Sequence, residues 1–254
     1  MWNVKLLKKG VKLKNPILIE GLPGIGNVAK ISVDFLVEEL KAKPLYELSS
    51  KTMPASVFVQ ENNLVELPHI YLYYKKMPKN DLLLLGGDVQ PLENVPAYEF
   101  AEVVIQLFKK MNGKLIITLG GIGLSTIPKE PKVYCTGNSK KAVSEFVKNT
   151  SVSTKLFGVV GPIIGAAGLL LGIAKENKIP AVSLLAETFA HPMFIGIKSS
   201  REIIKILNKK LNLKINIKKI DKQVESFEKA ITSTKQPKLK PIKSKSSEEL
   251  NYIG

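Results

Sequence analysis

The chain has 254 residues, 44% of them hydrophobic, a formal net charge of +16, one cysteine and two histidines. That apolar content is enough to bury a full core, which excludes disorder over most of the length. A lone Cys135 closes no internal disulfide and two histidines give no soft-ligand set, so the expectation is a reduced, cytoplasmic protein with no metal and no cofactor.

Along the chain, residues 1–15 mix five lysines with scattered apolar residues and show no continuous hydrophobic region, unlike a secretory signal. Ile17–Glu20 reads as a buried strand, followed by the glycine-rich loop Gly21–Asn27. Val28–Leu40 predicts a helix with Asn27 as its N-cap and Ile31, Phe35, Leu36 and Leu40 along one face. Val57–Val59 and Ile70–Tyr74 predict strands, and Asp81–Leu85 a buried strand running into the loop Gly86–Pro91. Ala97–Lys110 predicts a helix closed by Asn112 and Gly113, then a strand over Lys114–Leu119 ending in a loop at Gly120–Gly123. Repeated strand–helix–strand units predict an α/β domain with a mainly parallel sheet.

In the second half, Ser139–Lys148 reads as a helix, Phe157–Val160 as a strand and Gly165–Asn177 as a buried helix. Leu156–Ala174 is uncharged and nearly long enough to cross a bilayer, but its dense glycines and Pro162 predict a strand end, a turn and a buried helix instead. Ala181–Leu185 predicts a strand leading into a loop at Ala186–Thr188. Ser200–Leu211 and Asp221–Ile231 read as closing helices. Beyond Ile231 the composition turns to Ser, Thr, Lys and Pro. The domain organisation expected is one α/β domain over 1–231 and a flexible basic tail over 232–254. The positive charge is heaviest from Lys205 to Lys245, where only Asp221, Glu225 and Glu228 oppose it. Aromatic residues do not interleave with this run, so a solvated face or tail is expected and nucleic-acid binding is disfavoured.

Gly24 and Gly26 sit between a strand and a helix in a near match to the dinucleotide fingerprint, with Glu47 near the place of a ribose-binding acid. A tight strand-to-helix turn needs the same glycines for steric reasons. Loops carrying Asp88 and Gln90, Gly121 and Gly123, and Glu187 would meet Gly24 and Gly26 at the carboxyl edge of a parallel sheet, as possible ligand loops. Asp88 and Glu187 could be paired carboxylates for acid–base work, or could cap helices and pair with lysines. No nucleophile elbow, metalloprotease helix or phosphate-binding Gly-Lys-Ser/Thr loop is present in the sequence. Cys135, after Tyr134 in a strand-like run, reads as core.

Five motifs in order, Gly21–Ala29, Gly87–Pro91, Thr118–Gly123, Gly165–Gly172 and Leu184–Thr188, together resemble the proteasome assembly chaperone family in its archaeal form. The resemblance spans roughly Pro16 to Leu211. It implies a phosphorylase/hydrolase-like α/β fold with helices on both faces. It also implies a non-catalytic homo-oligomer that binds proteasome α-subunits or the core particle. The family's C-terminal hydrophobic–tyrosine–any-residue ending implies Leu250, Tyr252, Ile253 and Gly254 as partner-binding residues. Here Tyr252 stands third from the end, not second. The alternative function is a nucleotide- or nucleoside-binding enzyme built on the glycine loops.

Overall fold

Wherever a helix separates two strands in the first half of this chain, they run the same way, and wherever only a loop separates them the chain reverses. The computed structural model, which describes residues 1–156, 161–222, 224 and 225, contains β1 (Asn3–Leu6), β2 (Ile17–Gly21), α1 (Val28–Leu40), β3 (Lys43–Ser49), β4 (Phe58–Val59) and β5 (Val65–Glu66). These are followed by β6 (Ile70–Lys75), β7 (Leu82–Gly87), α2 (Asn94–Lys110), β8 (Leu115–Leu124) and β9 (Val133–Gly137). The described helices and strands close with α3 (Lys140–Val147), α4 (Ala166–Glu176), β10 (Ala181–Phe189) and α5 (Ile197–Leu211). Helical residues 217–222, 224 and 225 start the predicted last helix four residues early.

Eight strands form one sheet in the order β1-β3-β6-β7-β2-β8-β10-β9, and β4 and β5 pair only with each other. The expectation of a mainly parallel sheet is corrected: β7-β2, β2-β8 and β8-β10 are parallel, and the four remaining pairs are antiparallel. A parallel neighbour needs a crossover of a dozen or more residues, whereas the loops after β3, β6 and β8 carry no crossover helix and return the chain antiparallel. The sheet is mixed, with a parallel centre.

Side chains alternate across this centre. Leu18, Leu83, Leu85 and Ile116 pack beneath α2 and α4, while Ile17, Ile19, Leu82, Leu84 and Ile117 face α1, α3 and α5. Helices therefore cover both faces, as expected. Phe100 of α2 is fully buried and lies 4.8 Å from the Trp2 ring, and the Trp2 indole N–H donates to the Pro96 carbonyl at 3.0 Å. This anchors the first strand to the core.

Several local expectations shift. Asn27 precedes α1 in a left-handed conformation and its side chain makes no cap hydrogen bond. Ser139 does cap α3, accepting from the Ala142 N–H at 3.1 Å. The loops expected at Gly120–Gly123 and Ala186–Thr188 are strand, because β8 and β10 stay paired from Ile116 and Ala181 to Leu124 and Phe189. Glycine is a poor strand former, so a propensity reading stops the strand where pairing carries it on. Phe157–Val160 and the tail residues Leu250, Tyr252, Ile253 and Gly254 lie outside the described residues. Cys135 is buried in β9, and burial pushes its thiol up to about 12. Among the described residues no helix is long and apolar enough to cross a membrane.

Candidate functional site

The turn between β2 and α1 is tight because the rest of the chain closes over it. Gly26 has φ +62°, and a Cβ there would stand 2.7 Å from Thr188 Oγ1. A Cβ on Gly121 would stand 2.4 Å from the Ile25 carbonyl oxygen, and the Gly196 N–H donates to the Gly26 carbonyl at 2.8 Å. Gly123 faces Ala190 just as closely, at 2.8 Å from its Cβ. The glycines at 26, 121 and 123 thus meet their own chain, Gly121 against backbone and Gly26 and Gly123 against the side chains of Thr188 and Ala190, and their smallness serves close packing. Gly121→Ala is expected to destabilise the fold by about 2 kcal/mol, since a carbonyl cannot rotate away as a side chain can. Thermal unfolding measures it, and an unchanged melting temperature would refute the packing role.

The polar residues of the expected ligand loops are also engaged. Gln90 Nε2 donates to the Pro23 carbonyl at 2.7 Å and its Oε1 accepts from the Ala166 N–H at 3.2 Å, tying the glycine turn to the start of α4. Asp88 accepts from the His69 N–H at 3.0 Å. Glu187 accepts from the Tyr134 hydroxyl and from the Lys132 N–H, each at 3.0 Å, and so holds β9 against β10. Gly24, Gly26, Gln90 and Gly121 do come together around Pro23 and Ile25. Asp88 and Glu187 do not: β7 and β10 are three strand spacings apart, about 14 Å. They cannot share one proton-transfer centre. Glu47 sits on β3, with β6 and β7 between it and β2, and its carboxylate is 3.3 Å from His69 Nδ1 and 3.4 Å from Lys5 Nζ. It is not placed to read a ribose at Gly24.

A polar row that the sequence reading passed over lies inside the molecule. Glu20 and Ser183 both stand opposite Thr118 in register, so the three side chains line up across β2, β8 and β10. They share the face of Leu18 and Ile116, beneath α2 and α4. Each is at most 2% exposed, and Glu20 Oε2, Thr118 Oγ1 and Ser183 Oγ have no hydrogen-bond partner among the described residues. Glu20 Oε1 accepts from the Leu22 N–H at 3.1 Å. Burial pushes the Glu20 carboxyl up to about 8, so it carries its proton at neutral pH. The signal in the sequence was an acid two residues after Leu18 in a strand buried on both faces.

Comparison with known proteins places this arrangement. The PAC2 family profile matches residues 18–235. The chain belongs to the PAC2 family. An uncharacterized protein of Methanocaldococcus jannaschii is 32% identical over 263 residues, covering all of both chains. Among solved structures, Pyrococcus furiosus PbaB, described as an archaeal proteasome activator, is similar with a TM-score of 0.83 and 30% identity, over 91% of this chain and 97% of that one. Pyrococcus furiosus PbaA, described as an archaeal homolog of proteasome-assembly chaperone, is similar with a TM-score of 0.74 and 25% identity, over 91% and 90%.

On this PAC2 chain the two ends of the sheet differ in chemistry. The carboxyl ends of β7, β2, β8 and β10 define one edge, reached also by the start of β1, the β3–β6 connection and the starts of α2, α4 and α5. Of the large hydrophobic side chains left exposed among the described residues, only Leu6 and Leu7 lie elsewhere. Six belong to the β4–β5 hairpin and its flanks: Val57, Phe58, Val59, Leu64, Val65 and Leu67. Leu92, Val95 and Tyr98 are exposed at the start of α2, and Met193 and Ile195 stand before α5. A two-stranded hairpin that leaves its own apolar side chains in water is marginal by itself. Apolar side chains concentrated in this way at one edge suit protein contact.

Proposed function

We propose that this PAC2 protein is a non-catalytic, homo-oligomeric binding factor that engages proteasome α-subunits or the assembled core particle. The observation that carries it is the apolar rim at the carboxyl edge, which suits a protein surface and gives an enzyme nothing to work with. The descriptions of PbaB and PbaA point the same way. The rim is the self-association surface. Two strongly basic copies approach with least repulsion where lysines are sparse, and the connections of this edge at 21–27, 88–93 and 190–196 contain none. A symmetric contact then buries the same patch on both copies.

In this reading residues 1–231 form the body that assembles in the cytoplasm, and 232–254 form a tether. Leu250, Tyr252, Ile253 and Gly254 would be its contact point. A tyrosine supplies buried area with a hydrogen bond, and an oligomer that presents several such tips raises their effective concentration. Co-purification of the full chain with recombinant α-subunits and with mature core particles tests this, against a version ending at Ile231. Binding by the full chain that is lost on truncation is the expected result. Binding that survives truncation would move the contact to the body, and absence of binding by both versions would sink the proteasome reading.

A further inference from the structure

The charged groups at the edge opposite the apolar rim are almost all lysines. That edge is formed by the β1–β2, β6–β7, α1–β3, α2–β8 and α4–β10 connections and the end of α5. Residues 7–16 carry four lysines, 75–79 three, 109–114 three, 209–214 three, and 41–43 and 175–178 two each, against the single acid Glu176. Lys109, Lys110, Lys175, Lys209 and Lys210 lie in the last turns of α2, α4 and α5, where a cation offsets the helix dipole. The other twelve have no such reason to be there. Asp81, the acid of the β6–β7 connection, is buried and already engaged by Lys76 and by the backbone N–H groups of Lys14 and Met77.

Four of these lysines converge. A cleft of about 470 Å³ opens between the β6–β7 turn, the start of β8 and the end of α5, and Lys79, Lys114, Lys210 and Lys214 line it with no acid among them. Lys79, Lys114 and Lys214 are exposed, and their ammonium groups make no hydrogen bond or ion pair among the described residues. Lys210 Nζ donates to the carbonyls of Glu145 and Lys148 at 2.7 and 3.1 Å. Burial, and then the nearby Lys148 charge, push Lys210 down from its ordinary value. Met77, Leu211 and Leu213 give the cleft an apolar floor.

We propose that this lysine edge, centred on the cleft of Lys79, Lys114, Lys210 and Lys214, docks an acidic protein surface. It goes beyond the proteasome reading, because it rests on charge and placement alone. Aspartate and glutamate side chains match the arrangement: each carboxylate meets a flexible ammonium, and their methylenes meet the apolar floor. Nucleic acid fits less well. The basic groups are all lysine, the chain's one arginine, Arg201, is held in α5 by Asp221 and Glu202, and no aromatic ring lines the cleft. No arginine fork is therefore available for a guanine edge or a phosphate, and no ring for base stacking. Because the two edges point in opposite directions, an oligomer built on the apolar rim would leave its lysine edges outward.

The test uses the full chain at physiological ionic strength, with a labelled polyglutamate peptide and a duplex DNA of equal charge as probes. Lys79→Glu, Lys114→Glu and Lys214→Glu are combined in one variant, and Lys51→Glu, Lys129→Glu and Lys132→Glu, at the other edge, in a second with the same change in net charge. The expected result is that the first variant loses polyglutamate affinity by about 30-fold or more while the second changes less than about threefold. Equal losses in the two variants would show diffuse charge and overturn the proposal. So would tighter binding of the duplex than of the peptide, which would assign the edge to nucleic acid, or no binding of the peptide by the wild type.

Discussion

Glu20→Gln is expected to stabilise the protein at alkaline pH and to flatten its stability profile. In the unfolded chain a glutamate ionises near 4.5, while in the fold burial raises Glu20 to about 8. The native state therefore holds a proton that the unfolded state has released between these values. Whatever stability the neutral group allows is complete below about pH 4.5 and is lost as pH rises through about 8, at a slope approaching 1.4 kcal/mol per pH unit. The whole window amounts to about 5 kcal/mol. Glutamine keeps an acceptor for the Leu22 N–H and never ionises, so the variant should match wild type near pH 4.5 and exceed it at pH 8.5. Urea unfolding at those two pH values decides the matter: parallel profiles would show that Glu20 is ionised in the fold, with an unrecognised partner for its charge.

Replacing Phe58 and Val65 by aspartate is expected to dissociate the proposed oligomer and leave the fold intact. Both side chains stand out on the β4–β5 hairpin, at 38% and 62% exposure, so the monomer loses little packing. In an assembly built on the rim, each would give up roughly 1.5–3 kcal/mol of apolar burial and force a carboxylate out of water. Association should weaken by at least about 100-fold. Sedimentation velocity reads this directly. An unchanged sedimentation coefficient, or a wild type that is monomeric at every concentration, would remove the rim from the assembly.

The strongest local signals in the sequence were those in which local and tertiary preference agree. Val28–Leu40 was legible as a helix to the residue, because its apolar spacing is that of a helix packed on a sheet and no glycine or proline interrupts it. Ile17–Glu20 and the run through Leu85 were legible as strands, since continuous branched and aliphatic residues fit a strand covered on both faces. The edge strand β1 and its neighbour β3 were missed: their burial is patchy and their Lys and Glu residues mask the alternation.

The joint order of glycine motifs carried the family, while Gly120–Gly123 and Ala186–Thr188, expected as loops, are strand. Whether Gly121 lines a phosphate or meets the Ile25 carbonyl depends on what lies opposite it, and no spacing along the chain records that.

The sequence by itself determined the class of protein: a charged, core-forming α/β chain with one cysteine and motifs of one family, because composition and periodicity are properties of the chain alone. Only the tertiary structure decided which strands pair antiparallel, that Glu20, Thr118 and Ser183 share one buried row, and that apolar and lysine surfaces occupy opposite edges. Those facts join residues far apart along the chain. Alternating strand–helix order sends every second connection to the same edge, so a surface assembled from five connections and a helix end has no continuous trace in the sequence.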